Sequence, residues 1–288
     1  MILNSSTADI SIVTANYNNG EYLRDFIESV INSTILPGEL IIIDDGSTDN
    51  SIEILKEYEG LQYLRIIEFE SNRGFAEALN AGIEVAGGKY IMRVDPDDIL
   101  IKNRIEKQWN FMNANPEIDV SGSNVIYFNS MTKKDIIQSN FPITSSEIDQ
   151  CYRRGEHGIQ HPTAMIRSLV MKKYKYYQES VPAEDFDIFA RMIKDDCKFA
   201  NIPEPLLRMR IHSRSVSSNL KFDTIRKTYE LRDNIFGTNT SVIKVRFYYL
   251  HMLNYRKFLI SKDNIKRFLY LFLAILFYPQ KLLRRIRI

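Results

Sequence analysis

Residues 40–47 have the sequence LIIIDDGS, in which four large apolar residues change abruptly to acidic and turn-forming ones. Such a short apolar run is typical of a strand that is buried on both faces, as in a parallel sheet. Residues 90–98 repeat the arrangement, because the run Tyr90–Val94 leads into Asp95-Pro96-Asp97-Asp98. The two segments predict parallel strands that carry carboxylates at their carboxyl ends.

Strand and helix patterns alternate around these two segments through the first hundred residues. The predicted strands are Asp9–Ala15, 40–43, 61–69 and 90–94, and the predicted helices are a segment ended by Pro37-Gly38, 48–58 and 75–86. This alternation predicts βαβ units and a mostly parallel central sheet of the α/β class. Ligands of such sheets bind outside the carboxyl ends of the strands, where both acidic clusters fall.

The remainder of the chain has a mixed pattern followed by a helical one. Strands are predicted near 119–128, 161–167 and 204–211, and a helix over about 184–195. Residues 221–288 favour two or three helices. We therefore expect one domain over residues 1–220 and a helical extension over residues 221–288.

Charge is distributed unevenly over the 288 residues. The net charge is only +2, yet the last 45 residues hold eleven basic side chains against one acid, or +10, which leaves −8 for the rest. Two cysteines and 44% apolar residues exclude a disulfide scaffold and a disordered chain. No secretory signal pattern opens the sequence. An acidic body and a basic tail suggest two different partners.

The acidic clusters have both a structural and a functional interpretation. Residues 44–49, DDGSTD, fit a helix-capping turn, or a site that holds a base, a ribose or a cation. The three carboxylates of Asp95, Asp97 and Asp98 repel one another, and a divalent cation offsets that repulsion most simply. The alternative is an exposed acidic turn. Oxygen ligands favour Mg²⁺ or Mn²⁺.

Four further residues are considered on chemical grounds. Glu184 and Asp185 open a helix, where they either complement its dipole or supply a general base. His161 and His212 are more often structural than catalytic, although His212 precedes a serine-rich segment, Ser213–Ser218, that could lie near phosphates. The dinucleotide-binding glycine motif, the P-loop, the EF-hand and the GxSxG elbow are absent.

Taken in order, six segments resemble those of the family 2 glycosyltransferases, the inverting enzymes that build bacterial surface polysaccharides. They are residues 11–18, 40–49, 72–82, 95–98, 184–186 and 207–212. One departure is Ala15, where many relatives have proline. The QxxRW motif of processive synthases is absent, which favours transfer of a single sugar.

The resemblance implies a GT-A-like nucleotide-sugar fold and a role for each matched residue. Asp185 would be the catalytic base, and His212 would join the metal ligands Asp97 and Asp98, with Mn²⁺ or Mg²⁺ as the cofactor. The nucleotide, UDP by expectation, would be bound by Thr14, Asn16, Tyr17, Asp45, Arg73, Asp95 and Asp97. A saccharide, expected to be lipid-linked, would be the acceptor. A sugar-phosphate nucleotidyltransferase and a non-catalytic scaffold are the alternatives.

The apolar run Phe268–Tyr278 is followed by the basic segment Lys281–Arg287. Eleven residues of helix reach about half of the ~30 Å hydrocarbon core, so the run should not span a membrane. It fits a helix in the interface of an anionic membrane, with Tyr248, Tyr249, Tyr270 and Tyr278 at the headgroup depth. The alternative is a helical cap on this domain or on a second copy. We expect a cytoplasmic protein on the inner face of the cell membrane that does not bind nucleic acid.

Overall fold

The computed structural model describes residues 7–212, 220–261 and 263–279. The serine-rich segment Ser213–Ser218 and the basic segment Lys281–Arg287 therefore lie outside the described residues. The chain divides into two compact units, Met1–Ser215 and Val216–Ile288.

The first half of the first unit is a parallel α/β layer. Its strands are β1 (Thr7–Asn16), β2 (Leu36–Asp44), β3 (Leu64–Glu68) and β4 (Tyr90–Arg93), and its helices are α1 (Gly20–Ile31), α2 (Ser51–Glu57) and α3 (Phe75–Val85). The strands lie in the order β3-β2-β1-β4, and every neighbouring pair is parallel. The carboxyl ends of β1, β2 and β4 therefore meet at one edge of the sheet.

The second half extends the same sheet with mixed pairings. Its elements are β5 (Ile99–Leu100), α4 (Arg104–Ala114), β6 (Val120–Asn129), β7 (Asp135–Gln138), α5 (Ser145–Arg154), β8 (Met165–Arg167), α6 (Ser168–Met171), α7 (Glu184–Lys194) and β9 (Phe199–Ile211). Across the described residues the order is β3-β2-β1-β4-β8-β6-β9-β5, with β7 beside β6. The α/β class is confirmed. Beyond β4 the pairing is mixed, because β8 runs antiparallel to both β4 and β6, whereas β6 and β9 pair in parallel.

The core explains why these segments take their places. Residues Ile41–Ile43 are fully buried, as expected for a strand covered on both faces. Helix α1 buries Leu23, Phe26, Ile27 and Val30, which share one face at helical spacing. The predicted strand 161–167 is shorter than expected. His161–Thr163 forms a 3₁₀ turn, because Pro162 has no N–H to give to a strand partner.

The second unit contains the predicted C-terminal helices. They are α8 (Phe222–Phe236), α9 (Val242–Ile260) and α10 (Asn264–Phe277). Tyr248 and Tyr278 pack together in its core, with ring centroids 5.3 Å apart, so the expectation that these two tyrosines face lipid is wrong. Nowhere in the described ranges is a helix long and apolar enough to cross a membrane.

Candidate active site

The ends of β1 and β2 are tied together by Asp44. Its carboxylate accepts hydrogen bonds from Asn16 Nδ2 at 2.7 Å, from the Ser47 backbone N–H at 2.8 Å and from Ser47 Oγ at 2.7 Å. Only 1% of Asp44 is exposed. The first aspartate of DDGSTD therefore builds the turn, and Asp45, which is only 2% exposed, is buried beside it.

Asp45 connects the end of β2 to the start of α3. Its two carboxylate oxygens accept the backbone N–H groups of Arg73 at 2.7 Å and Gly74 at 3.0 Å. The Arg73 side chain is half exposed, and its guanidinium lies 4.3 Å from the centre of the Phe69 ring. Tyr17, on the loop after β1, is 46% exposed. Asp45 thus fixes the backbone at residues 73–74. The exposed side chains of Arg73 and Tyr17 are open to a planar base.

Two buried polar atoms on β1 lack a hydrogen-bond partner among the described residues. Thr14 and Asn16 are fully buried, and within the part of the chain that the structure describes Thr14 Oγ1 and Asn16 Oδ1 have no hydrogen-bond partner. Buried polar atoms are nearly always satisfied, because leaving one unpaired costs about 1–3 kcal/mol. These two atoms are therefore candidates for contact with a ligand at this edge of the sheet.

Asp95, Asp97 and Asp98 form a potential metal-ligand group. One oxygen from each lies within 4.8 Å of the others. Asp98 is buried, and among the described residues its Oδ2 has no hydrogen-bond partner. Burial and then the charges of Asp97 and Asp95 raise the pKa of Asp98 well above its usual value, and burial likewise raises that of Asp95. Carboxylates arranged in this way favour a cation.

A buried arginine stands beside this group. The Arg93 guanidinium is 2.5 Å from Asp95 Oδ1, and its side chain is only 6% exposed. Over the described residues its Nε and Nη1 have no hydrogen-bond partner. A partly unsatisfied cation at the carboxyl end of β4 is suited to an anionic or hydroxyl-rich ligand.

Strand β9 returns to the acidic group and holds it in place. Its Arg210 donates from the backbone N–H to Asp98 Oδ1 at 2.9 Å and from Nε to the Asp97 carbonyl oxygen at 2.7 Å. The same guanidinium reaches Asp25 Oδ2 on α1 at 2.7 Å. His212 Nε2 lies 2.9 Å from Asp97 Oδ2, so His212 contacts the acidic group through Asp97.

Helix α7 places two carboxylates at the same site. Asp185 is partly exposed, and its Oδ2 lies 3.6 Å from His157 Nε2. Its Oδ1 accepts the Phe186 N–H at 2.7 Å. Asp185 is close enough to Asp95 for its charge to contribute to the raised pKa of Asp95. Burial, followed by the charge of Asp185, raises the pKa of Glu184 to about 7.

The fold thus brings the sequence-predicted residues to one edge of the sheet. They fall into a group expected to form the nucleotide side (Thr14, Asn16, Tyr17, Asp45, Arg73), in which only Tyr17 and Arg73 are well exposed, an acidic centre (Asp95, Asp97, Asp98, His212) and the helix start at Asp185. His161 has a different role. It is buried, its Nε2 is 2.7 Å from the Tyr176 hydroxyl, and burial lowers its pKa well below the usual value. It is a neutral structural histidine.

Sequence reasoning missed Arg93, Arg210 and the environment of Glu184. Arg93 lies inside an apolar run, and a charge in a strand predicted to be buried was the available signal. Arg210 lies within the matched segment 207–212, but the sequence predicts no separate role for it. Its contact with Asp25 joins residues 185 positions apart, which no local pattern indicates.

Comparison with known proteins agrees with this geometry. Residues 11–175 match the family described as glycosyl transferase family 2. An uncharacterized glycosyltransferase of Methanocaldococcus jannaschii is 33% identical over 84% of this chain and 86% of its own length. The amylovoran biosynthesis glycosyltransferase AmsE of Erwinia amylovora is 28% identical over 83% of this chain and 91% of its own length. The chain belongs to glycosyl transferase family 2, and it is a glycosyltransferase.

Solved structures share the fold. S. aureus TarS residues 1–349, crystallised in complex with UDP-GlcNAc, aligns with a TM-score of 0.65 at 18% identity, over 88% of this chain and 74% of that one. The mannosyltransferase PcManGT from Pyrobaculum calidifontis, in complex with GDP-Man and Mn²⁺, aligns with a TM-score of 0.54 at 12% identity, over 95% and 72%. The expected GT-A-like architecture is therefore confirmed.

Proposed function

We propose that this glycosyltransferase moves one sugar, with inversion, from a UDP-sugar to a hydroxyl group of a lipid-linked saccharide in surface polysaccharide synthesis. The observation that carries the proposal is the placement of Asp185 beside the acidic group Asp95–Asp98 at the carboxyl edge of the sheet. A donor diphosphate needs the cation-binding group, and an acceptor hydroxyl needs a carboxylate next to it.

The nucleotide side is supported by its unsatisfied polar atoms. In this proposal Thr14 Oγ1 donates or accepts a hydrogen bond at the buried end of the pocket, and Asn16 Oδ1 accepts one there. Tyr17 covers the base. Asp45 holds the 73–74 backbone in place and faces the uracil, while Arg73 approaches the nucleotide. TarS, which binds UDP-GlcNAc, supports UDP as the first nucleotide to test.

The acidic residues fit a divalent cation. An orphaned, buried Asp98 Oδ2 and three clustered carboxylates are a donor set of the kind that Mn²⁺ and Mg²⁺ prefer. Asp97 and Asp98 would hold the ion, with His212 beside Asp97 and Asp95 toward the ribose–diphosphate. When bound, the ion would neutralise charge on the departing nucleoside diphosphate. The PcManGT complex with Mn²⁺ supports this choice.

The protein's own groups account for the remaining chemistry. Asp185, which is partly exposed, accepts the proton of the acceptor hydroxyl as its oxygen attacks the anomeric carbon. The Phe186 N–H fixes one of its oxygens and leaves the other toward His157 and the open side. Attack from the face opposite the departing diphosphate inverts the anomeric centre.

The acceptor and the location are supported by the tail and by one relative. AmsE acts in the biosynthesis of amylovoran, an indication that this chain also works on a surface polysaccharide. The basic, apolar C-terminal unit is suited to a membrane that carries a lipid-linked acceptor. We therefore propose a peripheral protein on the cytoplasmic face.

The test is the release of UDP from a panel of UDP-sugars, with Mn²⁺ or with EDTA, by the wild type and by Asp185→Asn. We expect Mn²⁺-dependent release by the wild type and at least a ~100-fold loss in the variant, because a general base contributes about 10²–10⁴-fold. Titration of UDP with Mn²⁺ should give nearly the same affinity for both proteins.

Asp149→Asn is the matched control, since Asp149 is a carboxylate of α5 that pairs with Arg153. It should leave UDP release unchanged. Equal rates for the wild type and Asp185→Asn would remove Asp185 from the role of base. Consumption of UTP and a sugar phosphate instead of a UDP-sugar would identify a nucleotidyltransferase, and the absence of any turnover or UDP binding would indicate a scaffold.

A further inference from the structure

One side of α10 carries a row of large exposed apolar side chains. Their exposed fractions are 83% for Ile265, 75% for Phe268, 51% for Leu269, 56% for Phe272 and 60% for Leu276. Intervals of three and four residues put all five on one face of the helix. Monomeric proteins rarely leave such a contiguous face in water, so it marks an interaction site. We refer to these five residues as the α10 face.

The opposite side of α10 is the one that packs within the second unit. Ala274 is 1% exposed, and its carbonyl oxygen lies 2.8 Å from His251 Nδ1 on α9. The Arg267 guanidinium lies 5.2 Å from the centre of the Phe258 ring. The α10 face is therefore not the surface that attaches α10 to α9, and its exposure is not explained by helix packing.

The first turns of α9 continue the apolar surface. Val242, Ile243 and Phe247 are 54%, 66% and 46% exposed, and the Phe247 ring lies 6.0 Å from that of Phe277 at the end of α10. A cleft of about 310 Å³ at this end is lined by both phenylalanines and by Lys244. A cation among apolar walls suits an amphiphile with an anionic head.

Charge decides between a bilayer and a second copy of the chain. Lys266 and Arg267 lie in the first turn of α10, and the last 45 residues carry +10. A second copy would bring another strongly basic unit against the first, whereas anionic lipid offers the opposite charge. The 14 residues of α10 are about 21 Å long, shorter than the ~30 Å hydrocarbon core. The helix is thus suited to lie along the surface.

We infer that the α10 face, with the first turns of α9, inserts into the headgroup region of an anionic lipid bilayer and lies parallel to it. The side chains of Phe268 and Phe272 enter the acyl boundary, while Lys244 and Lys266 meet the lipid phosphates. The inference rests on the proposed function in one respect only, namely that a lipid-linked acceptor gives the docking its purpose.

The test is flotation of the full-length chain with vesicles of phosphatidylcholine that contain 30% phosphatidylglycerol, or none. We expect the wild type to float with the anionic vesicles, and the double variant Phe268→Ser/Phe272→Ser to have an apparent affinity lower by about tenfold or more. Met131→Ser/Leu169→Ser is the matched control, because those side chains of the first unit are 93% and 84% exposed. It should bind like the wild type.

Three outcomes would overturn the inference: equal flotation of wild type and Phe268→Ser/Phe272→Ser, equal flotation with neutral and anionic vesicles, or no flotation. If the wild type does not float but sediments as a dimer, and Phe268→Ser/Phe272→Ser does not form that dimer, the face is assigned to a second copy. Release of UDP should be the same in the wild type and the variant. Loss of docking with retained turnover therefore separates this inference from the proposed function.

A second measurement does not depend on the loss of a side chain. In Phe272→Trp, brominated lipid in anionic vesicles should quench the new fluorescence, and the native Trp109 on α4 of the first unit should not be quenched in the wild type. Absence of quenching at position 272 in vesicle-bound protein would contradict insertion of this face.

Discussion

Arg210 contacts three aspartates in and beside the candidate site. Its side chain is fully buried and connects α1, the acidic loop and β9 through Asp25, Asp97 and Asp98. Lysine keeps the charge but lacks the planar fork that serves two acceptors at once. We therefore propose that Arg210 positions Asp97 and Asp98, the two carboxylates proposed to hold the metal ion.

We predict that Arg210→Lys lowers the free energy of unfolding by about 2–4 kcal/mol, since buried hydrogen bonds to charged groups lose their geometry. It should also weaken Mn²⁺-dependent UDP binding. Arg208→Lys is the matched control two residues earlier on β9, where an exposed pair with Asp135 contributes at most about 1 kcal/mol. Urea unfolding and calorimetry measure both effects, and similar losses in the two variants would contradict the argument.

Glu184 should make stability depend on pH. Burial raises its pKa to about 7 in the folded protein from an ordinary 4.5, so the folded state prefers the protonated form. The wild type should lose stability as the pH rises from about 4.5 to about 7, where the carboxyl ionises at a cost to the folded state. Glu184→Gln removes that loss.

We therefore predict that, in EDTA, Glu184→Gln has a Tm close to that of the wild type near pH 4.5 and a higher one above pH 7. Glu179→Gln changes an exposed carboxylate in a nearby turn and serves as the control. Thermal unfolding at several pH values gives the curves. Parallel curves for the wild type and Glu184→Gln would show that Glu184 is not held in an unfavourable environment.

At the level of elements, the site depends on how closely α3 approaches the sheet. A Cβ atom at Gly82 would lie 2.4 Å from Ile43 Cδ1 and 2.6 Å from Val13 Cγ1. Helix α3 therefore rests directly on β1 and β2, and its first residues follow Arg73 and Gly74, which Asp45 binds. Any displacement of α3 moves the loop on the nucleotide side.

We predict that Gly82→Ala destabilises the protein by about 1–3 kcal/mol, because overpacking forces the helix away from the sheet. It should also weaken UDP binding through the shifted 73–74 backbone. Gly60→Ala, where a Cβ atom would meet nothing within 4 Å, should stay within about 0.5 kcal/mol of the wild type. Urea unfolding compares the two, and an unchanged Gly82→Ala would contradict the close approach.

The sequence was most informative about the individual strands and helices. The runs at 40–43 and 90–94 correctly predicted two strands whose carboxyl ends lie at one edge of the sheet, because parallel connection places the carboxyl ends there. The antiparallel position of β8 between β4 and β6 was not predictable, since it depends on pairing between distant segments. The pKa of Glu184 was equally hidden, because it depends on burial by the whole fold.

At the scale of the whole molecule, the near-neutral charge hides two different units. An acidic α/β unit gathers carboxylates that favour a cation, and a basic helical unit presents the α10 face. The sequence predicted both the charge division and the helices. It did not show that Tyr248 and Tyr278 would be core residues, because only the packing of α9 with α10 distinguishes a buried tyrosine from one at a membrane.

We propose that Asp185 deprotonates an acceptor whose oxygen attacks the anomeric carbon opposite the departing diphosphate, so that the anomeric centre is inverted. To test this, the enzyme is incubated with an α-linked UDP-sugar and Mn²⁺. Proton NMR then records which anomer of the sugar is released first, before the freed sugar equilibrates between its anomers. Inversion predicts that the first product is the β-anomer. A first product in the α configuration would contradict it.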